Sequence, residues 1–176
     1  SWTNGRIVRT TNGGSTWTTV HTYAEGITAI WGTNSQIVYA VAVDGTIFKT
    51  TNAGQNWTPN IGVVPQFMYS MSFLNQTTGF VAGSEGGIAR TTNSGATWIP
   101  LSSPQVDWSY FQIKIVSASE IYLVGDPGFL YKSTDLGNTW QTINIMPVSG
   151  PSSTYIWYSM DKVGSTMVLS GDFGVV

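Results

Sequence analysis

Apolar residues along this chain fall in short runs broken by Gly, Asn, Thr and Ser. No stretch of ten or more residues spaces apolar side chains three and four apart, so the pattern excludes helices. The runs predict strands instead. "ITAIWG" (27–32), "QIVYAVAVDG" (36–45), "TIFKTTN" (46–52) and "NWTPN" (56–60) read as four successive short strands. "MYSMSFLN", "TGFVAGSEGG", "IARTTN" and "TWIPL" repeat that order, and "YFQIKIVS", "EIYLVGDPG", "FLYKSTD" and "TWQTI" repeat it again. The nearly unbroken apolar segment Ile37–Val43 is what a strand covered on both faces requires.

The repetition is strict at one place. "RTTNGGSTWTTV" (9–20), "KTTNAGQNWTPN" (49–60), "RTTNSGATWIPL" (90–101) and "KSTDLGNTWQTI" (132–143) put Trp17, Trp57, Trp98 and Trp140 at spacings of 40, 41 and 42 residues. A strand-built repeat of that period is the signature of four-stranded propeller blades. The expected architecture is an all-β propeller of antiparallel four-stranded blades: a half blade over 1–20, blades over 27–60, 68–101 and 110–143, and a partial blade over 156–176. Small residues in the second strands (Ala40, Ala42, Ala82, Gly83, Gly125, Gly171) are expected to let neighbouring blades approach closely.

The motif [ST]-x-[ND]-x-G-x-[TN]-W reads as a structural clasp. The Asn or Asp (Asn12, Asn52, Asn93, Asp135) would accept bonds from backbone N–H groups two residues on. The glycine (Gly14, Gly54, Gly95, Gly137) would supply a positive φ, and the Trp would cover the blade. The base before each box (Arg9, Lys49, Arg90, Lys132) is expected to snorkel along the blade edge or pair locally.

These boxes resemble the Asp-box, or bacterial neuraminidase repeat, of sialidases, sortilin-like receptors, some endoglucanases and the photosystem II stability/assembly factor-like family. The K/R-[ST]-T-[ND]-x-G-x-T-W form with "GFVAG" in the second strand is most similar to the last of these. Asn at three of four box positions departs from the family pattern. The resemblance implies a propeller of six or more blades, so the chain is expected to be an excerpt, with further blades in a longer parent chain or a larger assembly. "DFGVV" repeats a third strand already supplied by "NGRIVR", which argues against the alternative of four blades closing by strand exchange.

Composition narrows function. Charged residues make up only 9% of the chain, with net charge −2, so there is no basic field for nucleic acid. Solubility drawn from hydroxyls and amides is a habit of secreted and surface β proteins, and the expected location is secreted or cell surface in a bacterium. Zero cysteines and a single histidine, His21, leave no thiol chemistry and no histidine-based metal site or triad. No apolar run is long enough to embed in a membrane. No cofactor or metal is expected.

Loops joining strand two to three and strand four to one should share the face opposite the boxes. That face carries Asp44, Glu85, Asp126 and Asp172, read either as a ring of carboxylates or as ordinary turn residues. It also carries the aromatics Tyr23, Phe67, Trp108 and Tyr155 in four-to-one loops that lengthen along the chain. The expected function is a non-enzymatic binding or structural module for a protein or glycan ligand on that face. Two alternatives stand beside it: an assembly factor holding a membrane-protein intermediate, as the resemblance implies, and part of an Asp-box glycoside hydrolase. The latter would need paired carboxylates, for which only the non-repeating Asp107 and Asp161 offer themselves. A sialidase-like arginine triad has only Arg6, Arg9 and Arg90 to draw on, two of them in the repeat register.

Overall fold

The computed structural model describes residues 3–60, 66–145 and 155–173. Every regular element among them is a strand, and none is a helix. β1 (Thr3–Arg9) and β2 (Thr18–Glu25) form a two-stranded sheet. Three four-stranded antiparallel sheets follow: β3 (Ile27–Gly32) to β6 (Thr58–Asn60), β7 (Met68–Phe73) to β10 (Ile99–Pro100), and β11 (Tyr110–Ser117) to β14 (Gln141–Ile143). β15 (Tyr155–Val163) and β16 (Thr166–Phe173) form a last two-stranded sheet. In each complete sheet the strands lie side by side in chain order, the meander of a propeller blade. Among the described residues β1 and β16 are not paired with each other.

The core lies between blades. Along β4 (Val38–Ala42), Tyr39 and Val41 face forward into a cluster with Met68, Phe73, Val81 and Trp98. Ala40 and Ala42, on the other side of the same strand, face back onto Ile7 and Phe48. Both sides of a central strand are therefore dry, which explains the unbroken apolar runs. Phe80 and Ala82 pack with Tyr110, Ile113 and Leu123, and Tyr122 and Val124 pack with Met160, in the two following interfaces. Each of these large side chains contributes roughly 1.5–3 kcal/mol on burial.

Ala40, Ala42 and Ala82 pack between neighbouring blades as expected, but the glycines of the second strands serve a different contact. An ideal Cβ on Gly83, Gly125 or Gly171 would lie 1.9 Å from the carbonyl oxygen of Phe67, Ser109 or Ile156. The close approach is within a blade, where the residue before or opening the first strand crosses the end of the second.

The box turns join strands three and four, and their hydrogen bonds differ from the expected pattern. Asn12, Asn52, Asn93 and Asp135 accept through Oδ1 from the backbone N–H four residues on, at 2.9–3.0 Å, rather than two. The hydroxyl two residues earlier does the rest. Thr10, Thr50, Thr91 and Ser133 accept from the box glycine N–H at 2.8–2.9 Å and donate to the same Oδ1. Gly14, Gly54, Gly95 and Gly137 have φ of +92°, +82°, +74° and +80°. Asn and Asp are interchangeable here because the hydroxyl four residues on, of Thr16, Thr97 or Thr139, can reverse its bond. It accepts from Nδ2 of Asn12 and Asn93, and at Thr139 it donates to Oδ2 of Asp135. The tryptophans are not equivalent: Trp98 is 8% exposed, whereas Trp17 is 59% exposed.

The base before each box neither snorkels nor pairs locally in three of four cases. Arg9 donates to the Ala53 carbonyl (2.9 Å), Lys49 to that of Ser94 (2.7 Å) and Arg90 to that of Leu136 (2.6 Å). Each acceptor precedes the box glycine of the next blade and is itself in the left-handed region, at φ +56° to +59°. The base is thus an inter-blade latch. Tyr39 shares the Ser94 carbonyl, donating its hydroxyl at 2.7 Å. Lys132 alone pairs within its own blade, with Glu120 at 3.2 Å.

Candidate functional site

At the edge opposite the boxes, the two-to-three loops meet the connections into each first strand. Val43 N–H donates to Gly26, Ser84 to Phe67, Gly86 to Trp108 and Asp126 to Ser109, at 2.7–3.0 Å. Three of these bonds fix a loop of this rim within its own blade, and the Gly86–Trp108 bond ties one blade to the next.

The aromatics expected on that rim fall into different places. Tyr23 belongs to a strand, because β2 continues to Glu25 and only Gly26 separates it from β3. Its ring packs edge-on against Phe48 (4.9 Å) and its hydroxyl donates to Asp44 Oδ2 (2.8 Å). The expected first long loop therefore does not exist. Thr18, Thr19 and Thr22 obscured a pattern that alternates as a strand. Trp108 stacks flat on Phe129 at 5.7 Å and is half-buried. Tyr155 lies in β15 rather than in a loop and stacks on Trp157 at 6.2 Å. Phe67 is the open one of the four, 55% exposed. Residues 61–65 and 146–154, the middles of two expected long loops, lie outside the described residues.

Strand pairing reveals an aromatic row that the sequence reading missed. Each first strand has a bulge near its start, at the second residue of β3, β7 and β11 and the fourth of β15: the register slips between Ile27 and Ala29, Met68 and Ser70, Tyr110 and Gln112, and Trp157 and Ser159. The extra residues are Thr28, Tyr69, Phe111 and Tyr158. A bulge turns its extra side chain away from the ladder, and here it does so in register from blade to blade. Tyr69 lies 5.4 Å from Phe111, and Phe111 lies 5.2 Å from Tyr158, ring centre to ring centre. Thr28 donates to the Met68 carbonyl of the next blade at 2.8 Å. The row lines an open cavity of about 430 Å³ with Ile27, Thr28, Tyr69 and Phe111 at its wall. The glycines Gly83, Gly125 and Gly171 stand opposite the residue before each bulge, so the "AG", "VG" and "SG" dipeptides were the available signal.

Charge is divided sharply between the faces. Of nine acids, Glu25, Asp44, Glu85, Asp107, Asp126 and Asp172 stand at or beside this rim, while all seven bases lie inside strands. The other acids are engaged elsewhere: Glu120 with Lys132 and Lys162 at 3.2 Å each, Asp161 with Lys114 at 2.8 Å, and Asp135 in its box. Lys132, Tyr122 and Lys162 hold Glu120 below the usual carboxylate range, and Lys114 does the same to Asp161. Asp161 is thus committed to an ion pair, and no contact brings it to Asp107 among the described residues. On the rim, Asp172 accepts from the Tyr158 hydroxyl at 3.0 Å and pushes that phenol's pKa up. Asp44 braces its own turn, accepting from Thr46 N–H at 3.0 Å. None of the rim acids forms an ion pair among the described residues. No group of three or more His, Asp or Glu suited to a metal occurs among them.

Residues 60–168 match the family described as photosynthesis system II assembly factor YCF48. Among solved structures, YCF48 from Cyanidioschyzon merolae is 16% identical with a TM-score of 0.71, over 96% of this chain and 61% of that one. A structure of YCF48 bound to D1 peptide is 24% identical with a TM-score of 0.59, over 66% of this chain and 40% of that one. An ancestral GH74 enzyme is 18% identical with a TM-score of 0.67, over 89% of this chain and 25% of that one. No curated protein matches significantly. The chain spans less than two thirds of the length of each of these structures, and at such identities the likeness speaks for the propeller fold alone. The family match overturns the expected secreted or cell-surface location, since it is to a photosystem assembly factor. The hydroxyl- and amide-rich composition had suggested that location, and much of it is spent inside the box turns.

Proposed function

The chain belongs to the photosynthesis system II assembly factor YCF48 family, and from that membership we propose that it holds a polypeptide segment of a membrane-protein intermediate without catalysing a reaction. This is the assembly-factor alternative, taken in preference to a surface module for glycans. The observation that carries it is the in-register row Tyr69, Phe111 and Tyr158, turned out by bulges beside an exposed Phe67. Aromatic faces with few rotatable bonds, held on a rigid frame, suit an extended peptide that loses its freedom on binding. A YCF48 structure carrying D1 peptide gives this fold a precedent for such a ligand.

A D1 peptide titrated against the chain, read by fluorescence anisotropy, tests the reading. Phe67→Ala with Tyr158→Ala should weaken binding by about 1–2 kcal/mol, the usual loss for truncated interface aromatics. Their melting temperature should stay within a few degrees, because both side chains are largely exposed. Unchanged binding in that double variant, with loss on altering the box turns, would place the ligand on the opposite face and refute the proposal.

A further inference from the structure

The aromatic row has a chemical context that selects among peptides. Tyr69, Phe111 and Tyr158 offer π faces 5.2–5.4 Å apart along successive first strands, and the first two line a cavity of about 430 Å³ with Ile27 and Thr28. Tyr158 itself is 43% exposed and hydrogen-bonded to Asp172. Exposed carboxylates of Glu85 and Asp126 stand on the adjoining loops with no cation paired to them among the described residues. Of the seven bases six are engaged elsewhere, and the seventh, Arg6, lines a separate pocket beside Ile27 and Thr28, at the end of the row away from Tyr158. Arg9, Lys49 and Arg90 are spent on carbonyls of the box turns, and Lys114, Lys132 and Lys162 on Asp161 and Glu120. A trough of aromatic faces under unneutralised carboxylates complements cations attached to apolar stems. Arginine and lysine side chains can lay their methylenes along the rings while the charge meets the face of a ring or a carboxylate.

We propose that this trough binds a basic segment of polypeptide, with Arg or Lys side chains seated across Tyr69, Phe111 and Tyr158 and facing Glu85, Asp126 and Asp172. The inference rests on the peptide-holding reading above and gives the segment its charge. The rim's negative field would also speed capture of such a segment at low salt.

The test uses three labelled peptides of equal length and equal apolar content, one bearing Arg and Lys, one Gln and Ser, one Glu and Asp. Anisotropy titrations should show the basic peptide binding at least about tenfold tighter than the acidic one, and weakening as ionic strength rises from about 0.05 to about 0.5 M. Asp126→Asn with Asp172→Asn should remove most of that preference, and Phe111→Leu, which keeps an apolar core side chain but removes the π face, should weaken the basic peptide severalfold. Thermal melts of both variants check that the blades remain folded, and Tyr158→Leu repeats the ring test at a largely exposed position. Equal affinity for all three peptides, or preference for the acidic one, with binding still lost in the ring variants, would overturn the charge assignment and leave the peptide-holding reading standing. Preference for the basic peptide that none of these variants alters would overturn the location. No binding of any peptide, the D1 peptide included, would overturn both.

Discussion

The inter-blade latch makes a quantitative demand at the Ser94 carbonyl, which accepts from Tyr39 Oη and Lys49 Nζ at 2.7 Å each. Tyr39 is fully buried and Lys49 half-buried, and the ammonium also lies 5.5 Å from the Tyr39 ring. Tyr39→Phe removes one neutral donor but leaves the carbonyl served by Lys49, a loss of about 0.5–1.5 kcal/mol. Lys49→Met keeps most of the stem's packing and removes a charge-assisted bond that solvent partly screens, for about 1 kcal/mol. The double variant leaves that carbonyl with neither donor, adding an unsatisfied-acceptor penalty of about 1–3 kcal/mol. The two substitutions should therefore destabilise by more together than the sum of the singles, with a coupling of about 1–2 kcal/mol. For a chain of this size the double variant should melt on the order of ten degrees lower. Urea unfolding followed by tryptophan fluorescence gives the cycle. Amide exchange at Gly95 and Thr97, whose N–H groups are held by Thr91 and Asn93, reports whether that box turn opens first. Strict additivity, or a double variant no worse than Lys49→Met alone, would refute the shared-carbonyl latch.

Other consequences follow from burial and close approach. Trp98→Ala should destabilise by roughly 3–5 kcal/mol as a buried ring is lost, whereas Trp17→Ala should stay under about 1 kcal/mol, both read by denaturant melts. Asp135→Asn should be nearly silent in the same assay at neutral pH, because Asn12 and Asn93 already hold their turns. Gly125→Ala should cost about 1–3 kcal/mol, since its Cβ would strike the Ser109 carbonyl at 1.9 Å. Burial against Phe48 lowers the His21 pKa. Its folded-state value lies below the unfolded one, so the unfolded chain binds more protons and stability falls as pH drops through 6.5 toward the lower folded value. His21→Gln should flatten the fall in melting temperature between about pH 7 and 5; an unchanged slope would assign that fall to other groups.

The parts of this architecture that could be read from residue order are those whose cause is local. The box turn is closed by side chains within four residues of one another, so its Thr, Asn, Gly and Trp recur at fixed spacing and announce each blade. The apolar runs of the second strands, covered on both sides, were legible for the same reason. What escaped depends on partners far along the chain. That Lys49 reaches Ser94 is a fact about how one blade leans on the next, and no spacing within a repeat encodes it. The bulges that turn out Tyr69, Phe111 and Tyr158 arise from register against the second strand, so these rings read as ordinary alternating strand residues. Trp108 and Tyr155, conspicuous in sequence, found stacking partners in Phe129 and Trp157 that only the folded chain brings near.

The claim on which the functional account stands is that a polypeptide lies across the bulge row on the loop face. Hydrogen–deuterium exchange of the chain, alone and saturated with D1 peptide, measures this directly. The account predicts slowed exchange at residues 67–70, 109–112 and 157–159, with the box turns at 52–56, 93–97 and 135–139 unaltered. Protection confined to the box turns, or none at any segment under saturating peptide, would contradict it.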